Sequence, residues 1–350
     1  MSIIPVAEWL PDQPDLANGT SVAIGVIPRT QTSYGPIGSL KPYTTYQLAG
    51  PCLGMFSAKS PTGNVNVFMG TAHQITLMTS ASAPVILDAS SGVYDTVEGE
   101  GWVFVQFKAL VLATNFRSPI QTFTMDVSTR FGAFDSGTPR ARYMAAVKNF
   151  LVLGYTSDPI GGMSPFRIWW SGNGFPAFFP VPGSAGAQQT QSDYNDTVGT
   201  MGEVTGLVSG LAGCDCAVFF AHGIQRMIYA GPPDVFNIYP AANSPGTIFP
   251  NSLVPVGESV YYIFDCNSST PIGTNKVDRW FLSVLLHSAA PRTVVGTQDV
   301  VNKAIIWAFP SISGTAVFPT RYADTQIIYR YDLQRFSYAP LTAQFIAKIL

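Results

Sequence analysis

The sequence predicts an all-β chain, and within that class a β-propeller of about six blades, with seven as the alternative count. Three observations lead there. Runs of four to six apolar, aromatic and β-branched residues, each closed by turn residues, recur along the chain. Tight turns fall near residues 62, 108, 148, 222, 257 and 302, and apart from one longer interval the gaps of about 35–46 residues approximate the roughly 40–50 residues of propeller blades. Sustained helical periodicity is missing, and the best candidate, residues 341–350, reads as one helical turn or an extra strand.

Taken in order, residues 1–20 form an extended arm. Pro5, Pro11 and Pro14 prevent regular structure there, while Ile3, Ile4, Trp9 and Leu10 need apolar cover. That cover comes from the arm's own domain or from another subunit, unless the arm is a frayed tail. A chain without residues 1–20 is expected to assemble poorly and to keep its fold. A strand at 22–27, a candidate to complete the last blade, leads into a turn-rich loop at 28–42. The first meander is predicted at 53–57, 65–69 and 74–78, and the second at 102–107, 110–114 and 121–125. The third runs 144–147, a Lys148-Asn149 turn, 150–154, a Gly/Pro/Ser loop, and 167–171. Residues 181–200 are aperiodic and rich in Gly, Gln, Ser and Asp. Loops of that length within a compact fold are usually functional or held by a partner. Gln188, Gln189, Asp193 and Tyr194 therefore join Ile3, Ile4, Trp9 and Leu10 as predicted interface residues. The fourth meander is placed at 217–221, 224–229 and 235–239, and the fifth at 253–256, 260–264 and 279–286. The sixth takes 297–301, 304–309, 326–331 and 336–338. The domain reading is an arm (1–20), a propeller (21–340) and a tail (341–350).

Composition narrows the function. Charged residues are 11% of the chain, against roughly 25% in an ordinary globular domain. A free monomer keeps itself soluble with mixed surface charge, so this shortage points to a subunit of a larger assembly. A net charge of −2 without clustered Lys and Arg argues against an electrostatic grip on nucleic acid. No membrane-spanning segment is predicted, because no run approaches the ~18–20 apolar residues needed. The N-terminus has no basic region of the secretory kind. Four cysteines (Cys52, Cys214, Cys216, Cys266) are too few for a disulfide scaffold, which favours a reduced, cytosolic origin.

The chemical motifs are weak. Cys214, Cys216 and His222 lack the Cys-x₂₋₄-Cys spacing and fourth ligand of a structural zinc site. No Gly-x-Ser-x-Gly elbow occurs, and only His73, His222 and His287 could serve a triad. Asp126, Asp135, Asp215, Asp234, Asp265 and Glu258 lie near strand ends, where carboxylates usually form turns and caps, although glycoside hydrolysis needs only two or three facing one sugar. Trp169 and Trp170 read as core packing or as a sugar-stacking platform. Gly183 and Gly186 open nothing helical, so no phosphate loop is expected. The expectation is no enzyme, no cofactor and no metal.

Several phrases resemble the β-propeller tail components of short-tailed bacteriophages, the tail-accessory, hub or nozzle proteins beneath the portal and adaptor. They include VIPRTQTSYGPIGSL (26–40), WVFVQFKALVLATN (102–115), RARYMAAVKNFLVLGYT (140–156), RIWWSGNG (167–174), GEVTGLVSG (202–210) and DVVNKAIIWAFPS (299–311). The resemblance implies a non-enzymatic virion protein, made in the host cytoplasm and forming a homo-oligomeric ring, a hexamer by preference. Its implied partners are portal, adaptor and other tail proteins, with tail fibres a further possibility. DNA would pass through without sequence-specific binding. A glycan-binding receptor module or a glycoside hydrolase is the alternative.

Overall fold

The computed structural model describes residues 7–13, 19–79, 86–90, 92–97, 99–197, 199–241, 244–264, 276–286, 291–312 and 322–349. The chain divides into two compact units. The smaller joins Met1–Thr45 with Asp265–Lys348, and the larger holds Tyr46–Phe264 with Ile349–Leu350.

The smaller unit begins with β1 (Glu8–Trp9) and β2 (Gly19–Thr20), paired in parallel. The hairpin of β3 (Val26–Thr30) and β4 (Ser33–Pro36) follows, so part of the stretch read as a plain loop at 28–42 is paired. The Thr30 and Ser33 hydroxyls, 2.7 Å apart, close its turn.

The larger unit is a succession of antiparallel meanders. β5 (Gly54–Lys59), β6 (Val65–Gly70), β7 (Ile75–Thr79) and β8 (Ile86–Asp88) make the first blade. β9 (Val103–Phe107), β10 (Leu110–Thr114), β11 (Gln121–Thr124) and β12 (Gly132–Ala133) make the second. The third combines β13 (Arg140–Val147), β14 (Phe150–Asp158), β15 (Gly162–Trp170), a short helix α1 (Ala185–Thr190) and β16 (Asp193–Asp196). The fourth is β17 (Val204–Leu211), β18 (Cys214–Phe220), β19 (Ile224–Gly231) and β20 (Val235–Pro240). A two-stranded hairpin, β21 (Val254–Val256) and β22 (Ser259–Tyr261), ends the unit. The chain returns to the smaller unit as helix α2 (Asp278–Val284) and a last blade, β23 (Val295–Asp299), β24 (Ala304–Phe309), β25 (Ala323–Arg330) and β26 (Arg335–Ala343). This is a β-propeller arrangement of five four-stranded blades, four in one unit and one in the other.

The repeating apolar runs have a direct physical reading in the larger unit. A middle strand of a blade is covered on both faces, so its side chains alternate between two cores rather than between core and water. Along β14, Phe150 and Val152 enter a cluster with Val218 and Phe220 of β18, while Leu151 and Leu153 enter another with Phe107 and Leu112 of the second blade. Similarly, Val111 and Ala113 of β10 face Phe68 and Leu77 of the first blade, and Phe219 of β18 packs with Val260 and Tyr262 beside the β21–β22 hairpin. First strands are also laced by side chains: Gln106 on β9 accepts from the Lys59 N–H (3.2 Å) and donates to the Lys59 carbonyl (2.7 Å). Trp102 lies over Gly54 and Gly70, where a Cβ would overlap its backbone or ring, and its indole N–H donates to the Thr71 carbonyl at 2.8 Å.

Several expectations change. Residues 279–286, predicted as a strand, lie largely in α2. The Asp12 carboxylate accepts hydrogen bonds from the backbone N–H groups of Arg279 (2.7 Å) and Trp280 (2.8 Å), capping the helix from far away in sequence. The fifth predicted meander is accordingly reduced to the β21–β22 hairpin. Most of the Gly/Pro/Ser loop before residue 167 is paired: Asp158 accepts from the N–H groups of Ile160 and Gly161, tightening the turn so that β15 begins at Gly162. The aperiodic stretch at 181–200 contains α1 and β16, and β17 was not anticipated as a strand. The early segment touches the last blade through one isolated parallel bridge, Ile24 to Tyr338, with Gly25 N–H donating to the Tyr338 carbonyl at 2.9 Å, while the strand expected at 22–27 begins only at Val26 and pairs with β4. The residues expected to form the 341–350 tail are strand as far as Ala343.

The arm is built in. Trp9 is fully buried, with its ring centroid 4.8 Å from those of Trp280 and Tyr338. Its backbone N–H donates to the Tyr34 hydroxyl and its indole N–H to the Ser21 carbonyl. Glu8 pairs with Lys276 at 2.7 Å. The expectation that losing residues 1–20 leaves the fold intact is therefore revised, because the loss removes core from the smaller unit.

Candidate functional site on the third blade

The strands of the third blade end in two different ways. At the β14–β15 end sits a charge cluster in which Arg167 and Asp158 are buried and Asp196 is exposed. Arg167 donates from Nε and Nη2 to the two carboxylate oxygens of Asp196 (2.7 and 2.6 Å) and from Nη1 to Asp158 (3.1 Å). Its guanidinium carbon lies 4.0 Å from the Tyr194 ring centroid. Hydrogen bonding to Asp196, followed by the charges of both carboxylates, holds the Arg167 pKa above its ordinary value. Every charge in this cluster has a partner, so it fastens β14, β15 and β16 together.

At the other end, the segment between β15 and β16 is neutral and largely apolar. Ser171 accepts from the Leu151 N–H and donates to the Gly172 carbonyl. Gly174 N–H reaches the Asn149 carbonyl across the β13–β14 turn, Gly172 N–H reaches Phe178 O, and Thr138 donates to Ala177 O. Gly183, at φ +77°, turns the chain, and the Ser184 hydroxyl accepts from Ala187 N–H as the cap of α1. Gly183 thus precedes, and Gly186 lies within, a helix of six residues, contrary to the sequence reading.

The predicted interface residues separate. Ile3 and Ile4 lie outside the described residues. Trp9 is covered within its own unit, and Leu10 is half-buried against Gly19. Gln188 and Gln189 are exposed on α1, and Asp193 is exposed on the edge strand β16. Tyr194 is half-buried, stacked on Arg167 and tilted against Trp169. Gln191, absent from the prediction, ties the segment down. Its carbonyl accepts from Trp170 Nε1 (3.0 Å), and its side-chain oxygen accepts from the Tyr229 hydroxyl (3.1 Å) and Asn173 Nδ2 (3.3 Å). It sits in the left-handed region at φ +62°, and a lone Gln in an aperiodic run carries no sequence signal for that.

The groups considered for chemistry are engaged singly. Asp126 accepts from Thr62 (2.8 Å) and Asn64 (3.3 Å), and those hydrogen bonds lower its pKa. Asp135 accepts from Gly137 N–H, and Asp215 binds the Tyr229 N–H and Lys148. His73 Nδ1 meets the Tyr94 carbonyl at 2.9 Å. Asp265, Cys266 and His287 lie outside the described residues. Burial pushes the Cys52 thiol up to about 11 and raises those of Cys214 and Cys216. Among the described residues, no three His, Cys, Asp or Glu side chains converge on a common point. Trp169 and Trp170 are both buried.

No protein-family model matches this sequence, and neither does any curated protein. Solved structures do. The chain is similar to a streptogramin B lyase structure at 11% identity and a TM-score of 0.44, over 86% of this chain and 89% of that one. It is similar to apo AztD from Citrobacter koseri at 10% identity and 0.40, over 86% and 92%. A third similarity is to Kluyveromyces lactis Hsv2, at 8% identity and 0.33, over 85% and 98%. Among the described residues, no helix is long and apolar enough to cross a membrane.

Proposed function

We propose that this protein is a non-enzymatic structural subunit of a larger assembly and, following its sequence resemblance, a hub or nozzle component of a short-tailed phage virion. The observation that carries the reading is a charge-poor surface that holds large apolar side chains out in both units. Leu40 is 82% and Val301 91% exposed in the smaller unit, and Val127 is 78% exposed in the larger. Single exposed apolar residues are ordinary. In a chain with 11% charged residues, little remains to offset them, and burial against neighbours does so. The six-bladed count belongs to this proposal, with the β21–β22 hairpin as a reduced blade. So do the homo-oligomeric ring, the portal and adaptor partners, and passage of DNA without sequence readout.

The glycan-binding and glycosidase alternatives are weakened by the Trp pair, since burial leaves neither ring free to stack on a sugar. Native mass measurement and two-dimensional class averages of the purified protein, alone and with a portal–adaptor complex, test the reading. Rings that join the complex support it, and a monomer that never does so sinks it. Sugar release from a bacterial polysaccharide, lost on changing one carboxylate, would transfer the assignment to the glycosidase.

A further inference from the structure

Of the methionines among the described residues, Met163 alone is exposed, at 63%, near the start of β15. Met69, Met78, Met125, Met144 and Met227 are buried, and Met55 and Met201 are half-buried. The Met163 sulfur accepts from the Tyr155 hydroxyl at 3.9 Å. Met163 stands opposite Ser157 in the β14–β15 pairing, which makes Tyr155 its diagonal neighbour, at the irregularity between Gly154 and Thr156.

Tyr155 is held in an unusual way. It is 6% exposed and sits at φ +55°, a region that bulky side chains seldom adopt. The Arg142 guanidinium carbon lies 3.9 Å from its ring centroid, and Phe116 meets the ring edge-on at 5.4 Å. Arg142 in turn pairs with Glu100 at 2.7 Å. Burial, above all other causes, raises the Tyr155 pKa, so the hydroxyl keeps its proton and remains a donor. Among the described residues its acceptor is the Met163 thioether, and a thioether is a weak one. A fixed, buried donor thus faces a sulfur that solvent reaches freely.

We propose that Met163 is a reversible oxidation site whose sulfoxide is bound by the Tyr155 hydroxyl. A lone pair of the sulfur attacks one oxygen of hydrogen peroxide, and the S–O bond forms as the O–O bond breaks. The sulfur loses two electrons, and the departing hydroxide takes the proton from the new sulfoxide oxygen to leave as water. The product is polar and is returned to the thioether by sulfoxide reductases. Its oxygen replaces a weak acceptor with a strong one and lies closer to the waiting donor, so oxidation tightens the β14–β15 hairpin at its bulge. This inference goes beyond the assembly reading and does not depend on it.

The test exposes the full chain to hydrogen peroxide and follows each methionine by peptide mass. Met163 should gain oxygen at least about tenfold faster than Met69, Met78, Met125, Met144 or Met227. Denaturant titration then compares wild type with Tyr155→Phe, which keeps the ring and removes the donor. The substitution should change the unfolding equilibrium constant less than about twofold in the reduced chain and about fivefold after oxidation, as for one neutral hydrogen bond. Met163→Gln places an amide oxygen at the same position without peroxide and should show the same fivefold dependence on Tyr155, which covers damage elsewhere in the oxidised chain. Met163 oxidised no faster than the buried methionines would overturn the proposal. So would a Tyr155→Phe effect that is equal in the reduced, oxidised and Met163→Gln chains.

Discussion

The N-terminal arm and the segment between β15 and β16 are alike in sequence and opposite in structure. Both lack periodicity, both are broken by prolines, and both carry large apolar side chains beside Gly, Gln and Ser or Asp. In the arm, Trp9 is fully buried on a two-residue strand paired with β2. In the third blade, the backbone is equally well tied, yet Phe175, Phe178 and Val181 face water. Aperiodic stretches hide which way side chains point, because direction is set by hydrogen bonds to residues distant in sequence. One segment is an inner wall, and the other is a surface.

Changes at five positions and one deletion would break or sharpen that contrast. Trp9→Ala should cost the smaller unit about 3–5 kcal/mol, as for a large side chain removed from a core, read as a lowered denaturant midpoint. Removal of residues 1–20 should cost at least as much, and a truncated chain melting like wild type would show that the arm is dispensable. Arg167→Met should cost about 3 kcal/mol, since it leaves the Asp158 charge buried without its cationic partner. Converting Asp158 to Asn in the same chain should return part of that loss, and failure to do so would argue that packing against Tyr194 matters more. Asp12→Ala should cost about 1 kcal/mol through the lost cap on α2, with Asp12→Asn milder. Phe175→Ser should change stability by less than about 0.5 kcal/mol, as at exposed sites generally. A large loss at Phe175 would mean that its ring supports the loop rather than facing water.

Much of the blade pattern was readable because middle strands covered on both faces need unbroken apolar runs, and two-residue turns such as Lys108-Ala109 and Lys148-Asn149 punctuate them. In the first three blades the fourth strand escaped that logic. β16 reads Asp-Tyr-Asn-Asp and pairs on one edge only, so its sequence carries no apolar alternation. The candidate surface was half legible. The polar residues Gln188 and Gln189 stood out as part of a long loop, while no sequence signal singled out Phe175 and Phe178.

The amino-acid sequence alone determined the all-β class, the spacing of the meanders and the scarcity of charge, because local runs and turn residues respond to their near neighbours. Tertiary structure alone decided that residues 279–284 form a helix rather than a strand, because Asp12 arrives from the other end of the chain to satisfy two of its first N–H groups. It also decided that Trp9 is core and Phe175 surface. Burial is a property of what packs against a side chain, and no local pattern contains that.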